Sequence, residues 1–439
     1  MTTAAYYTLG CKVNQTETAA LQHLLEERGY KTVAFTEPAD VYIINTCTVT
    51  HLGDRKSRQM VRRARRLNPE AVIVVTGCYA QVSPQEVMKL PEVDLVLGTH
   101  AREQLPDLIE RAKTERIAHV VPLTEKKGFE KLDAAQTGEK TRAFLKVQEG
   151  CRQFCTYCIV PYARGPLYSR PVAEAVKIAE KLAAEGFREL VLTGVHLGSY
   201  GADLNGGVTL CDLLQELVRV EGLDRIRISS VEPTEVTDRL AELLLAEPKI
   251  CPHLHLPLQS GDDEILRRMN RRYTAAEFLD LVERLRSRIP DLALTTDVMV
   301  GFPGESEAQF ANTLQVVRRA EFSRLHVFKY SPRRGTPAAG YKEQIPAPVK
   351  EARSRKLLAL GRELAAAYHR RFVGKTEAVL FEETVGDGEM AGFTRHYVRV
   401  AVASPKDVLG RLLPVRMTES SADGLKGEIV TSHNGTGEG

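Results

Sequence analysis

Apolar and polar positions follow three successive patterns along this chain. In the first, short apolar runs ("AAYYTLGC", "ADVYIINTC", "AVIVVTGC", "VDLVLGT") alternate with stretches of helical spacing. "NQTETAALQHLLEERGY", for example, puts Ala19, Leu21, Leu24 and Leu25 on one face. Such βα alternation predicts a parallel sheet with helices on both sides. A polar stretch without a period, "TEKKGFEKLDAAQTGEKTR" (Thr124–Arg142), reads as a linker.

The second pattern repeats the first. "AFLKVQEG", "ELVLTGV", "RIRISSV", "HLHLPLQS", "LALTTDVMVGF" and "RLHVFKY" read as strands, with amphipathic helices such as "VAEAVKIAEKLAAEGF" and "TEVTDRLAELLLAE" between them. Six βα units are too few for a closed eight-fold barrel; they predict a partial one with its site at the carboxyl ends of the strands. "VKEARSRKLLALGRELAAAYHRRFVG" then reads as one long basic amphipathic helix, after which the period drops to two. "TEAVLFEET", "GFTRHYVRVAV", "GRLLPVRMTES" and "LKGEIVTS" predict a small antiparallel β-barrel, and the tail "SHNGTGEG" is expected to be disordered. The expected fold class is α/β: a parallel-sheet domain over residues 1–123, a linker at 124–142, a partial (β/α)6 barrel at 143–371 and a small β-barrel at 372–435.

A length of 439 residues suits two or three cores rather than one. The apolar share of 43% and charged share of 27% are those of an ordinary soluble protein. The start "MTTAAYYTLGCKVNQ" lacks a secretory n-region and h-region, and no apolar run reaches the length of a membrane span. A cytoplasmic protein without membrane contact is the expectation, and there grouped cysteines bind metal or do redox chemistry more often than they crosslink. The net charge of +3 says little, but its distribution says more. "DRKSRQMVRRARR" (Asp54–Arg66) holds seven basic residues and one acidic one, and "LRRMNRR" and "SPRRG" add smaller basic groups. Such clusters suit a phosphate backbone or, singly, a solvated helix face.

Three of the eight cysteines, Cys151, Cys155 and Cys158, form a C-x3-C-x2-C triplet in "EGCRQFCTYCIVPYARG". Three thiolates from one loop can hold an iron–sulfur cube with one iron left open. A zinc site would want a fourth nitrogen or sulfur ligand, and none follows at the usual spacing. Cys11, Cys47 and Cys78 each end a predicted strand, which brings all three to one edge of the first sheet. Cys211 and Cys251 have no ligand-like neighbours and read as structural. His253 and His255 share a strand face and read as core or pocket lining.

C-x3-C-x2-C after the first strand of a βα barrel resembles the radical S-adenosylmethionine (SAM) superfamily. There the cluster holds SAM on its open iron and cleaves it to a 5′-deoxyadenosyl radical, and Tyr157 matches the aromatic position near the adenine. Cys11, Cys47 and Cys78, in "LGCKVNQ", "INTCTVT" and "VTGCYAQ", narrow the resemblance to the methylthiotransferases. That resemblance implies a second [4Fe–4S] cluster whose open iron carries sulfur, with SAM as both methyl donor and radical source. It also implies a carboxyl-terminal RNA-binding TRAM domain, the anticodon loop of tRNA as partner, and a reducing electron donor such as flavodoxin or ferredoxin.

Members of the family modify adenosine beside the anticodon or an aspartate of a ribosomal protein. "TLGCKVNQTE" and "LTGVHLGSYG" are most similar to the branch acting on N6-threonylcarbamoyladenosine at position 37. The isopentenyladenosine branch usually has Gln-Met-Asn where this chain has Lys12, Val13 and Asn14, and the ribosomal-protein branch tends to Pro-Lys-Asn. By their place at strand ends, Gly194 would let the backbone approach SAM, while Glu232 and Gln259 would bond its ribose or methionine groups. Arg164, Arg333 and Arg334 are candidates for a polar substrate pocket, or else surface arginines. In "GFTRHYVRV", Arg395, Tyr397 and Arg399 form a basic aromatic strand suited to RNA, or an edge strand protected by charge. The alternatives are a non-catalytic RNA-binding iron–sulfur redox protein and a hydrolase using Asp297 and Glu305, which leaves six cysteines unexplained.

Overall fold

The computed structural model describes residues 1–49, 51–126, 128–130, 132, 141–386, 388–404 and 408–430, and of residues 51 and 52 only the backbone. Much of the sequence-read linker and the tail from residue 431 onward lie outside the described residues.

The first unit is a six-stranded parallel sheet in the order Lys31–Val33, Thr3–Thr8, Val41–Thr46, Val72–Gly77, Leu95–Leu97, Ile117–His119. Val41–Thr46 and Val72–Gly77 are buried at every position, because helices cover both faces of the sheet. One face packs Tyr42, Ile44, Ile73 and Val75 against Met60, Val61 and Ala64 of helix His51–Leu67. The other packs Ile43, Val74 and Leu95 against Leu21, Leu25, Leu105 and Ile109.

Six parallel strands form the central partial barrel: Arg142–Glu149, Glu189–Gly194, Arg225–Ile228, His253–His255, Ala293–Val300 and Arg324–Lys329. Isolated bridges Ile226↔Ile250 and Ser230↔His255 join the third strand to the fourth, so the wall is continuous. Period two assigns the faces. Ala143, Leu145, Leu190, Leu192, Ile226, Leu254, Leu294 and Val298 point outward into the main helix-covered core. In register on the inner face stand Arg142 with Glu189, Lys146 with Thr193, and Asp297 with His326.

The last unit is a closed barrel of five strands, Thr376–Thr384, Glu389–Thr394, Arg399–Ala403, Gly424–Ile429 and Leu412–Ser421. The run "GFTRHYVRVAV" is therefore not one strand. It breaks at a turn in which Tyr397 adopts φ +62° and its N–H donates to the Thr394 carbonyl at 3.0 Å. That turn seats the small barrel on the amino-terminal ends of the central strands. Arg225 donates to the Phe393 carbonyl at 2.9 Å, Arg227 to those of Arg395 and Thr394 at 3.1 and 3.3 Å, and Arg142 to Glu382 at 2.7 Å. Among the described residues no helix is long and apolar enough to cross a membrane.

Candidate active site

Three of the six candidate cysteines follow a glycine with positive φ: Gly10 at +110°, Gly77 at +92° and Gly150 at +79°. Each turns the chain sharply off its strand end, a conformation that costs glycine little. A Cβ on Gly77 would lie 2.8 Å from the Thr46 amide, and one on Gly150 would lie 2.7 Å from the Gly165 carbonyl oxygen. Gly150→Ala is therefore expected to push apart the loop that carries Cys151, at a cost of about 1–3 kcal/mol. Chemical denaturation together with the iron content of reconstituted protein checks this; wild-type values for both would contradict it.

Around the C-x3-C-x2-C triplet, N–H groups aim at sulfur. Gln153 N–H reaches Cys151 Sγ at 3.4 Å, Arg271 Nη1 lies 3.5 Å from Cys155 Sγ, and His196 Nδ1 is 3.7 Å from Cys151 Sγ. Burial, reinforced by Cys155, pushes the Cys158 thiol up to about 12. Burial opposes charge on His196, but hydrogen bonds to Cys151 and Glu235 outweigh it and raise the ring to about 10. Glu235 stands 3.0 Å from His196 Nε2. Glu232 does not stand alone at its strand end: it is clamped by Arg271, with Nη1 to Oε1 at 3.0 Å.

Cys11, Cys47 and Cys78 gather at the edge of the first sheet, where a Cβ on Gly10 would lie 3.0 Å from Cys47 Cβ. Burial raises the thiols of Cys47 and Cys78, the latter to about 11. Crowded thiols resist joint ionisation, whereas a cationic metal centre deprotonates them outright. Among the described residues no three His, Cys, Asp or Glu side chains close on a single ion-sized point. The fit to clusters rests on the donors instead: two sets of three thiols, the barrel set ringed by N–H groups that can donate to sulfur.

The segments that carry the two sets meet at one seam. Helix Val160–Arg164, just past Cys158, packs on helix Cys78–Val82, and Thr99 Oγ1 donates to the Ala163 carbonyl at 2.9 Å. Arg164 is 1% exposed, which excludes a surface role. It bonds Asn14 Oδ1 at 2.7 Å, Glu149 at 3.1 Å and both oxygens of Glu17. Glu17 also meets Arg102 and Lys146, and Lys126 and Glu130 of the sequence-read linker are buried beside them, Glu130 on Arg102. Arg333 is likewise buried, pairing with Asp54 at 2.7 Å and with Thr48 next to Cys47. Arg334 is exposed.

The remaining sequence-read residues divide. Tyr157 packs against Ile265, Met269 and Phe302 beside the triplet. Gly194 ends its strand against Gln148, whose Oε1 accepts the His196 N–H at 2.6 Å. Gln259 holds φ +61° between strands, donating to the Asp297 carbonyl and accepting from Met299 N–H, both at 2.8 Å. Arg395 is spent on the Pro248 and Ile250 carbonyls at 3.0 and 3.2 Å, and Tyr397 points into the central barrel; Arg399 pairs with Glu383 at the surface. The turn at Tyr397 thus sends two of the three sequence-read RNA residues to an internal contact. Asp297 pairs with His255 at 3.3 Å while Glu305 is buried on Arg353, so those carboxylates do not act on one point. His196, Arg271 and Glu17 went unrecognised as site residues; Arg271 lay inside a basic cluster that reads equally well as a phosphate-binding surface.

Residues 3–98 match the family described as "Uncharacterized protein family UPF0004", and residues 145–317 match the radical SAM superfamily. The chain is 44% identical over 437 residues to a threonylcarbamoyladenosine tRNA methylthiotransferase MtaB of Bacillus subtilis, covering 98% of this chain and 97% of that one. It belongs to the radical SAM methylthiotransferase family. The MtaB protein of Aquifex aeolicus is 41% identical, over 94% of this chain and 99% of its own. A tRNA-2-methylthio-N(6)-dimethylallyladenosine synthase of Cereibacter sphaeroides is 40% identical over 96% and 97%. Methylthiotransferases of this family use SAM and iron–sulfur chemistry. A solved radical SAM methyltransferase, TsrM of Kitasatospora setae, shares the fold with a TM-score of 0.59 at 15% identity, covering 88% of this chain and 79% of its own.

Proposed function

We propose that the protein is a tRNA methylthiotransferase that converts N6-threonylcarbamoyladenosine at position 37 to its 2-methylthio derivative, using two [4Fe–4S] clusters. The observation that carries this reading is the seam: the segments that bear the two cysteine triplets meet there, and the buried Arg164 and Arg333 pair across it with Glu17 and Asp54. Cys151, Cys155 and Cys158 would hold the SAM-binding cluster, and Cys11, Cys47 and Cys78 the sulfur-carrying one. When bound, these groups supply homolytic chemistry able to functionalise a C–H bond that no side-chain base can deprotonate. Arg271 and Glu232 fix Cys155 and one wall of the cofactor space, and His196 and Glu235 orient Cys151. The buried ion pairs between the two domains keep water out of the seam.

Domain limits at 1–123, 143–371 and 372–435, and a flavodoxin- or ferredoxin-like donor, belong to this reading. For RNA, the exposed Arg55, Lys56, Arg62, Arg63 and Arg66 offer a phosphate-binding face on a helix that starts four residues after Cys47, with Arg399 as a second contact. Mass analysis of tRNA nucleosides from cells lacking the gene tests the substrate. Loss of the methylthio form of threonylcarbamoyladenosine is expected; loss of the isopentenyl derivative instead would assign the other branch. A non-catalytic redox protein would release no 5′-deoxyadenosine when reduced with SAM.

A further inference from the structure

The inner wall of the central barrel pairs its charges. Arg142 meets Glu382, Arg225 and Arg227 meet Glu189, Lys146 meets Glu17 and Glu149, and Asp297 meets His255. Lys12 enters the same space from the neighbouring domain, one residue after Cys11, and is half-buried there. Its ammonium lies 5.8 Å over the Tyr397 ring, which Arg142 and Arg227 flank at 5.4 and 4.6 Å. Among the described residues Lys12 has no carboxylate within ion-pair distance. A partly desolvated cation among like charges is unfavourable until an anion joins it.

The neighbours of that ammonium suit a polar ligand. His326, on the inner face of its strand, lies 5.7 Å from His255 ring to ring. Burial chiefly, with His255, Arg324 and Lys12 adding, keeps His326 neutral against the pull of Asp297. A neutral imidazole offers one donor and one acceptor. We infer that Lys12 and His326 form a carboxylate-binding subsite for an anionic N6 substituent of the target adenosine, an inference that rests on the substrate reading above. The subsite discriminates twice: a carboxylate gains a charge-assisted bond, and an apolar substituent leaves the half-buried ammonium without a partner.

The test is fluorescence anisotropy of full-length reconstituted protein with anticodon stem–loop RNAs. The RNAs carry threonylcarbamoyladenosine, its carboxylate methyl ester, or isopentenyladenosine. Wild type is expected to prefer the acid over the ester by roughly tenfold or more. Lys12→Met should bring that ratio close to one while binding the ester RNA as wild type does, and Lys12→Arg should restore most of the preference. His326→Ala, which is farther from the cysteines, should reduce it several-fold and serves if Lys12→Met does not fold. A wild-type preference for the acid that survives both Lys12→Met and His326→Ala overturns the subsite alone. Preference of wild type for the isopentenyl RNA overturns the substrate reading and the subsite with it.

Discussion

Cys155→Ala is expected to reduce 5′-deoxyadenosine release to background, whereas Cys47→Ala should retain a measurable fraction and yield no methylthiolated base. Cys155 is buried, with Arg271 3.5 Å from its sulfur, and Arg271 is itself anchored on Glu232. A loop that supplies only three thiols has none to spare, so losing one removes the support for SAM cleavage. Cys47 belongs to the other domain, where its sulfur lies near Cys11, Arg164 and Asp54 rather than near the first triplet. Anaerobic incubation of each reduced, reconstituted variant with SAM and RNA, read by mass spectrometry, separates the two roles. Equal loss of 5′-deoxyadenosine in both variants would show that the triplets do not divide the work.

Arg164→Met should be the most destabilising single change at the seam. It strips a buried cation from Glu17, Glu149 and Asn14 at once, and breaking one side of a buried ion pair costs about 3–5 kcal/mol. That is a large share of a typical domain's stability. Burial by itself would raise the Glu17 carboxyl, but Arg102, Arg164 and Lys146 outweigh it and hold the group well below its ordinary value of 4.5. A carboxylate depressed in the folded state contributes stability that is present above the unfolded value and is lost as pH falls below it. Wild type should therefore lose stability steeply on acidification from pH 5 downward, and Arg164→Met, already weaker at pH 7, should lose less over the same range. Denaturant midpoints across that range measure both. Parallel curves for the two proteins would remove Glu17–Arg164 from the account of acid sensitivity.

The strands were legible because burial on both faces, or on one, writes itself into local composition. "VYIINT" and "VIVVTG" are apolar because helices cover both sides, and all six central strands start within a residue of where the pattern places them, although the fourth ends at His255 rather than Ser260. The place of Cys11, Cys47 and Cys78 just past strand ends was legible because each follows an apolar run. Long-range pairing was not. Arg271 finds Glu232 39 residues away, and Arg333 finds Thr48 285 residues away, so two clusters that look like phosphate-binding surfaces each surrender an arginine to the interior. Nothing local marks Arg271 as different from the exposed Arg272 beside it. The break at Tyr397 was equally hidden, since a tyrosine at φ +62° carries no glycine or Asn-Gly signal. Tertiary contacts with Arg142, Arg227 and His253 hold it there.

That tyrosine has a bearing on how the protein is made. The floor of the central barrel is supplied by a module near the far end of the chain, which closes only when strand Gly424–Ile429 has joined Arg399–Ala403 and Leu412–Ser421. During synthesis the catalytic barrel must therefore emerge from the ribosome open at its base. Closure of the small barrel therefore comes after that of the six strands it seals, and Tyr397 is the joint through which the later-made module completes the earlier one.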